Sequence, residues 1–168
     1  MVRLLRPLVG VLALATLATT ASAQSANINA TATVLQPLTV SGARDLAFGN
    51  VYPGVNKSIA VADATSGRFD LTGVASAQVQ FSFTLPTNLN NGGNTLPIGT
   101  WTGYHNTTNS ASVGGTAFTP SSSNTTTNLA AVTGQLFIFV GATVSPSGTQ
   151  TAGPYTAQVT ATAAYTGL

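Results

Sequence analysis

Apolar residues in this chain recur mostly at every second position, in short runs separated by turn residues. From Asn27 to Val34 the even positions are apolar (Ile28, Ala30, Ala32, Val34) and the odd ones are Asn or Thr. From Gln78 to Leu85 the residues Val79, Phe81, Phe83 and Leu85 share one face, and Pro86 closes the run. From Tyr155 to Tyr165 the residues Tyr155, Ala157, Val159, Ala161, Ala163 and Tyr165 fall on one face. A period of two is the spacing of a half-buried strand. The run Leu136–Val144 is apolar on both faces for most of its length, which predicts a central strand covered on both sides. Shorter runs at Leu38–Val40 and Ser58–Ala62, and one over Thr95–Tyr104 interrupted by Pro97 and Gly99, complete the pattern. Asn88–Asn94 reads as a turn cluster and Thr119–Asn128 as a mobile, low-complexity polar loop. Beyond the first 23 residues no window repeats at helical spacing. The expectation is an all-β protein, a two-sheet antiparallel sandwich of immunoglobulin-like size with roughly eight to ten strands.

The first residues have a different pattern. A basic start with Arg3 and Arg6 leads into an apolar run from Leu8 to Leu17, then Ala21-Ser22-Ala23. This order is that of a cleavable secretory leader over residues 1–23. The apolar run is shorter than the roughly 20 residues needed to cross a bilayer. The predicted organisation is therefore a leader (1–23), an N-terminal segment (24–35) and a sandwich domain (36–168), on an exported protein of about 145 residues after cleavage.

Removing the leader alters the charge. The whole chain carries a formal +2, but Arg3 and Arg6 leave with the leader. Arg44, Lys57 and Arg68 then balance Asp45, Asp63 and Asp70, and there is no Glu. A near-neutral surface of Asn, Gln, Ser and Thr offers no electrostatic footprint for nucleic acid. The absence of cysteine excludes thiolate metal sites, redox chemistry and Cys nucleophiles.

Catalysis needs an acid or base, an activated nucleophile, or a metal. The single histidine, His105, has no carboxylate near it in sequence, and the three Asp residues are far apart, each beside a turn. No Gly-x-Ser-x-Gly elbow occurs. The expectation is a non-enzyme with no cofactor and no metal site. Trp101, Tyr104 and His105 form the best candidate ligand surface, since exposed aromatics beside Asn-rich loops can stack on sugar rings. The competing reading is that Trp101 plugs the core.

The two ends of the chain resemble a known family. Asn27–Val34 followed by Pro37-Leu38-Thr39-Val40 is similar to the start of chaperone–usher pilins, particularly the alternative class. Leu46-Ala47-Phe48-Gly49, with Pro53-Gly54 after it, resembles the Leu-x-Phe-Gly segment of spore-coat-U-like domains and of a related secreted bacterial domain of unknown function. Gly153 lies twelve residues before Tyr165, the separation pilins keep between a glycine and a near-terminal tyrosine. The resemblance implies an immunoglobulin-like sandwich lacking its last strand. A donor strand (Ile28, Ala30, Ala32, Val34) of one copy would fill a groove beside Gly153, Tyr155, Ala157, Val159, Ala161, Ala163 and Tyr165 of the next. Leu46, Phe48 and Gly49 would form the motif turn. It further implies a homopolymeric fibre or coat on the cell surface, a periplasmic chaperone and an outer-membrane usher.

Two function classes follow. One is the structural subunit just described. The other is a monomeric secreted or surface-bound module that takes a glycan or matrix receptor through Trp101–His105, its first strand pairing inside its own domain.

Overall fold

The computed structural model describes residues 24–167. The expected leader lies outside the described residues. The chain divides into two units, residues 1–33 and residues 34–168. In the first, residues 24–33 carry no strand, and the Ile28 side chain is 93% exposed. The second is a β-sandwich.

All regular structure among the described residues is strand. The larger sheet holds β1 (Thr39–Arg44), β3 (Gly67–Thr72), β9 (Gln135–Val144), β6 (Asn94–Asn106) and β5 (Asn88–Asn91), in that order. Within it β2 (Lys57–Ile59) pairs with β9, and β7 (Thr116–Phe118) pairs with β6. The smaller sheet is β10 (Thr160–Gly167), β4 (Gln78–Thr84) and β8 (Thr125–Asn128). Every strand pairing is antiparallel. The all-β two-sheet sandwich expected from the alternation is the fold observed.

β9 is central, as its doubly apolar run predicts: it pairs with β3 on one side and β6 on the other. The main core lies between Leu71, Leu136, Ile138 and Val140 of the larger sheet and Val79, Phe81 and Phe83 of the smaller. Phe81 sits edge-on to Phe83, Phe118 and His105, with centroids 6.0, 5.3 and 5.7 Å away, the geometry favoured by ring quadrupoles. On the outer face of β3, Arg68 and Asp70 pair through Nη2–Oδ2 at 3.0 Å and Nε–Oδ1 at 2.9 Å, the latter poorly aligned for a hydrogen bond.

Several elements differ from the sequence expectation. β3 has only two inward apolar residues, Phe69 and Leu71, too few to register as a run. β8 lies inside the expected mobile loop and contains no apolar residue; its Thr and Asn backbone is fixed by the ladder to Gln78–Phe81. Asn88–Asn94 is a tight hairpin, turning at Gly92-Gly93, whose arms are β5 and the start of β6. Pro97 does not end β6, because its carbonyl still accepts from Ser145 N–H at 3.0 Å. A bulge between Gly99 and Thr102, with Thr100 at φ 47°, adds one residue and changes which parity faces the core. Leu96 and Ile98 point inward before it; Trp101 and His105 do so after it.

β9 also marks out the two ends of the sandwich. Its ten residues span about 33 Å. The loop Ala130–Gly134 precedes it and sits beside Gly73–Ser76 through Gly73 N–H to Gly134 O (2.9 Å) and Ser76 N–H to Ala130 O (3.3 Å). Ser145–Ser147 follows it, and Ser147 O accepts from Gly54 N–H at 3.0 Å. The first end is called pole A below and the second pole B.

Candidate functional site

The smaller sheet is too short to cover the larger one. Its upper limit is the pair Thr160–Thr84, after which β4 leaves at Pro86. Toward pole B, Leu96, Ile98, Ala142 and Val144 therefore form a second apolar cluster with no strand of the smaller sheet over it. Leu46, Phe48, Val51, Leu89 and Tyr155 pack against this cluster instead.

A groove of about 1240 Å³ opens over it. One wall is β1 (Val40, Gly42, Arg44) and the segment that continues to Pro53. The other is the segment from Gln150 to Ala161. β1 is an edge of the larger sheet, and β10, whose first residues Thr160 and Ala161 belong to the second wall, is an edge of the smaller. Unpaired edges are templates for another strand.

Both walls are pinned by hydrogen bonds. Arg44 donates from Nε to Ser66 O at 2.6 Å and from Nη2 to Ser66 Oγ at 2.7 Å, holding the end of β1. Gln150 Nε2 donates to Thr95 O at 3.0 Å and to Tyr155 Oη at 2.8 Å, and Tyr155 Oη donates to Thr151 O at 2.7 Å. Thr156 exchanges two backbone bonds with Asn90, at 2.9 and 3.1 Å. The chain thus joins the β5 edge at Thr156 and the β4 ladder only from Thr160. Ala157–Val159 belong to no ladder. The strand expected over Tyr155–Tyr165 is shortened for this reason: its ends pair with different sheets.

At pole A the groove closes. Leu38 and Tyr165 both pack against the main core there. Tyr165 Oη accepts from Val74 N–H at 2.8 Å and donates to Gln36 O at 3.1 Å.

The expected acceptor residues divide accordingly. Gly153, Tyr155, Ala157, Val159 and Ala161 line the groove; Ala163 and Tyr165 lie beyond its closed end and pack into the main core. Gly153 has φ 143°, and a Cβ there would collide with the Asn91 side chain. The motif turn contributes directly: Leu46 and Phe48 cover the second cluster, and Gly49 makes the turn at φ 61°. The sequence reasoning missed Val40 and Gly42 as wall residues and Gln150 as their counterpart's anchor; the bare alternation at Val40 and Gly42 was the available signal.

Trp101, Tyr104 and His105 do not assemble a shared stacking surface. Trp101 packs against both apolar clusters. His105 is 8% exposed and faces Phe81 and Phe118, and burial lowers its imidazole pKa. Tyr104 alternates to the opposite face, opposite Phe139, and its hydroxyl accepts from Gly115 N–H at 2.7 Å. The physical reason is the pleat: adjacent residues of one strand face opposite sides.

No protein-family model, curated protein or solved structure matches this chain.

Proposed function

We propose that this chain is a structural subunit of a bacterial surface fibre or coat that polymerises head to tail by N-terminal strand donation. Residues 27–34 of one copy occupy the groove of the next, completing an immunoglobulin-like sandwich. The observation that carries this reading is the groove itself, lined by the partly buried Leu46, Phe48, Leu89 and Tyr155 that cover the second apolar cluster, between an edge of each sheet. Its complement is a segment whose alternate residues are apolar and exposed, Ile28 at 93% and Val34 at 96%.

Strand addition draws affinity from main-chain hydrogen bonds and specificity from alternate side chains. Burial of Ile28 and Val34 contributes about 2–3 kcal/mol each, and Ala30 and Ala32 about 0.8 each. Ladder hydrogen bonds add about 0.5–1.5 kcal/mol apiece. A head-to-tail contact of this kind does not close on itself and so generates a filament. In this reading the chain is exported, a periplasmic chaperone shields the open groove in transit, and an outer-membrane usher passes the subunits to the surface.

The test compares residues 24–168 with residues 35–168. The longer chain should form heat-resistant oligomers, and the shorter should be a monomer that binds the peptide 24–35. A longer chain that stays monomeric at high concentration, with no peptide bound by the shorter one, refutes strand donation.

A further inference from the structure

We propose that consecutive copies make a second contact, with Val132 at pole A of one subunit seated against Val55 at pole B of the next. This rests on the strand-donation reading and adds an interface outside the groove.

The argument begins with which end of the groove admits a donor. A donated strand is attached to a whole folded domain, so its root must enter where the groove is open. The pole A end is blocked by Leu38 and Tyr165, whereas at pole B the walls run out to Pro53 and Gln150. The root, Val34, therefore lies at the acceptor's pole B, and the donor runs antiparallel to β10.

The next step is the length of the tether. Gln36 is held at pole A of its own domain by Tyr165 Oη. Only Leu35 separates it from Val34, and two residues reach at most about 7 Å. Docking the arm thus brings the donor's pole A against the acceptor's pole B.

Both poles carry exposed apolar side chains at these places. Val132, 91% exposed, tops the Ala130–Gly134 loop beside Gly73–Ser76. Val55, 58% exposed, follows the turn closed by Val55 N–H to Tyr52 O at 3.1 Å. Val55 stands outside the groove lining, which ends on this side at Tyr52 and Pro53. A contact this small would not hold two free proteins together. Tethered by the donated strand, it forms at the high effective concentration of a short linker. Because the two patches lie on opposite ends, the contact is heterologous and repeats along the filament.

The experiment uses residues 24–168 carrying Val132→Lys, Val55→Glu, or both, and measures the rate at which preformed polymers dissociate. Each single substitution should speed dissociation about tenfold, the loss of one buried valine contact. The double substitution should return the rate to near that of the unmodified chain, because the new charges attract across the interface. Binding of the peptide 24–35 to residues 35–168 with the same substitutions should be unchanged. Single substitutions without effect on dissociation, or a double variant worse than either single, overturn the pole-to-pole contact while leaving strand donation intact. Failure of the unmodified chain to polymerise or bind the peptide overturns strand donation, and this contact with it.

Discussion

The hydroxyl of Tyr165 ties the segment before β1 to the segment after β3 at pole A, donating to the carbonyl of Gln36 at 3.1 Å and accepting from the amide of Val74 at 2.8 Å. The ring packs against the main core, so the hydroxyl is held in place by its own side chain. Tyr165→Phe keeps the ring and removes both bonds, leaving a partly buried amide without its partner. Stability should fall by about 1–3 kcal/mol, seen as a lower urea midpoint with an unchanged slope. Amide exchange at Val74 should accelerate as well. An unchanged midpoint would mean the hydroxyl contributes nothing.

Gly42 offers a way to block the groove without disturbing the fold. A Cβ built there meets nothing within 4 Å, and its backbone is not in the left-handed region. Gly42→Leu should therefore leave stability within about 0.5 kcal/mol of the parent. The leucine side chain would project into the wall that the donated strand must pass. Calorimetry with the peptide 24–35 should show binding reduced at least tenfold on a fold of normal melting temperature. Undiminished binding would place the strand elsewhere.

Gln150 anchors the opposite wall through Thr95 O and Tyr155 Oη. Gln150→Ala removes both bonds, together with the one its Oε1 accepts from Ser147 N–H at 3.3 Å, and frees the segment that leads to the unladdered residues Ala157–Val159. The effect on global stability should be small, about 1 kcal/mol. Local opening should be larger, with faster amide exchange at Thr156, and the peptide should bind more weakly. Tyr155→Phe should give the same phenotype, since it removes the second half of the clasp.

His105 makes the domain sensitive to acid. Burial against Phe81 and Phe118 lowers its pKa from the ordinary 6.5, so the folded state holds its proton less firmly than the unfolded chain. In the interval between the folded and unfolded values the unfolded state binds more protons, and stability rises with pH. The stabilisation is therefore complete above 6.5 and is lost as pH falls through the lowered folded value. Urea midpoints from pH 7.5 down to 4.5 should decline more steeply for the parent than for His105→Leu. Parallel curves would show that burial does not shift this imidazole.

How far the sequence discloses this architecture depends on what each strand is made of. β4 and β9 declare themselves through their own side chains, and both are found where the alternation places them. β8, all Thr and Asn, has no such signal, because what makes it a strand is the backbone of Gln78–Phe81 across from it. The sides taken by the aromatic trio are hidden for a related reason, and of the two readings of Trp101 the one in which it packs into the core is observed. The bulge at Gly99–Thr102 sets which side of β6 each residue faces, and one inserted residue reverses every assignment after it.

The sequence by itself determined that the chain beyond residue 23 holds an all-β domain, with a doubly apolar central strand and an alternating segment ahead of it. Those are consequences of the two-residue pleat, which is local. Only the tertiary structure decided that the alternating run from Tyr155 to Tyr165 is divided between two sheets, bonded to β5 at Thr156 and to β4 from Thr160. The division creates the groove, and alternation cannot report it, because a pleat has the same period whichever strand lies across from it, or none.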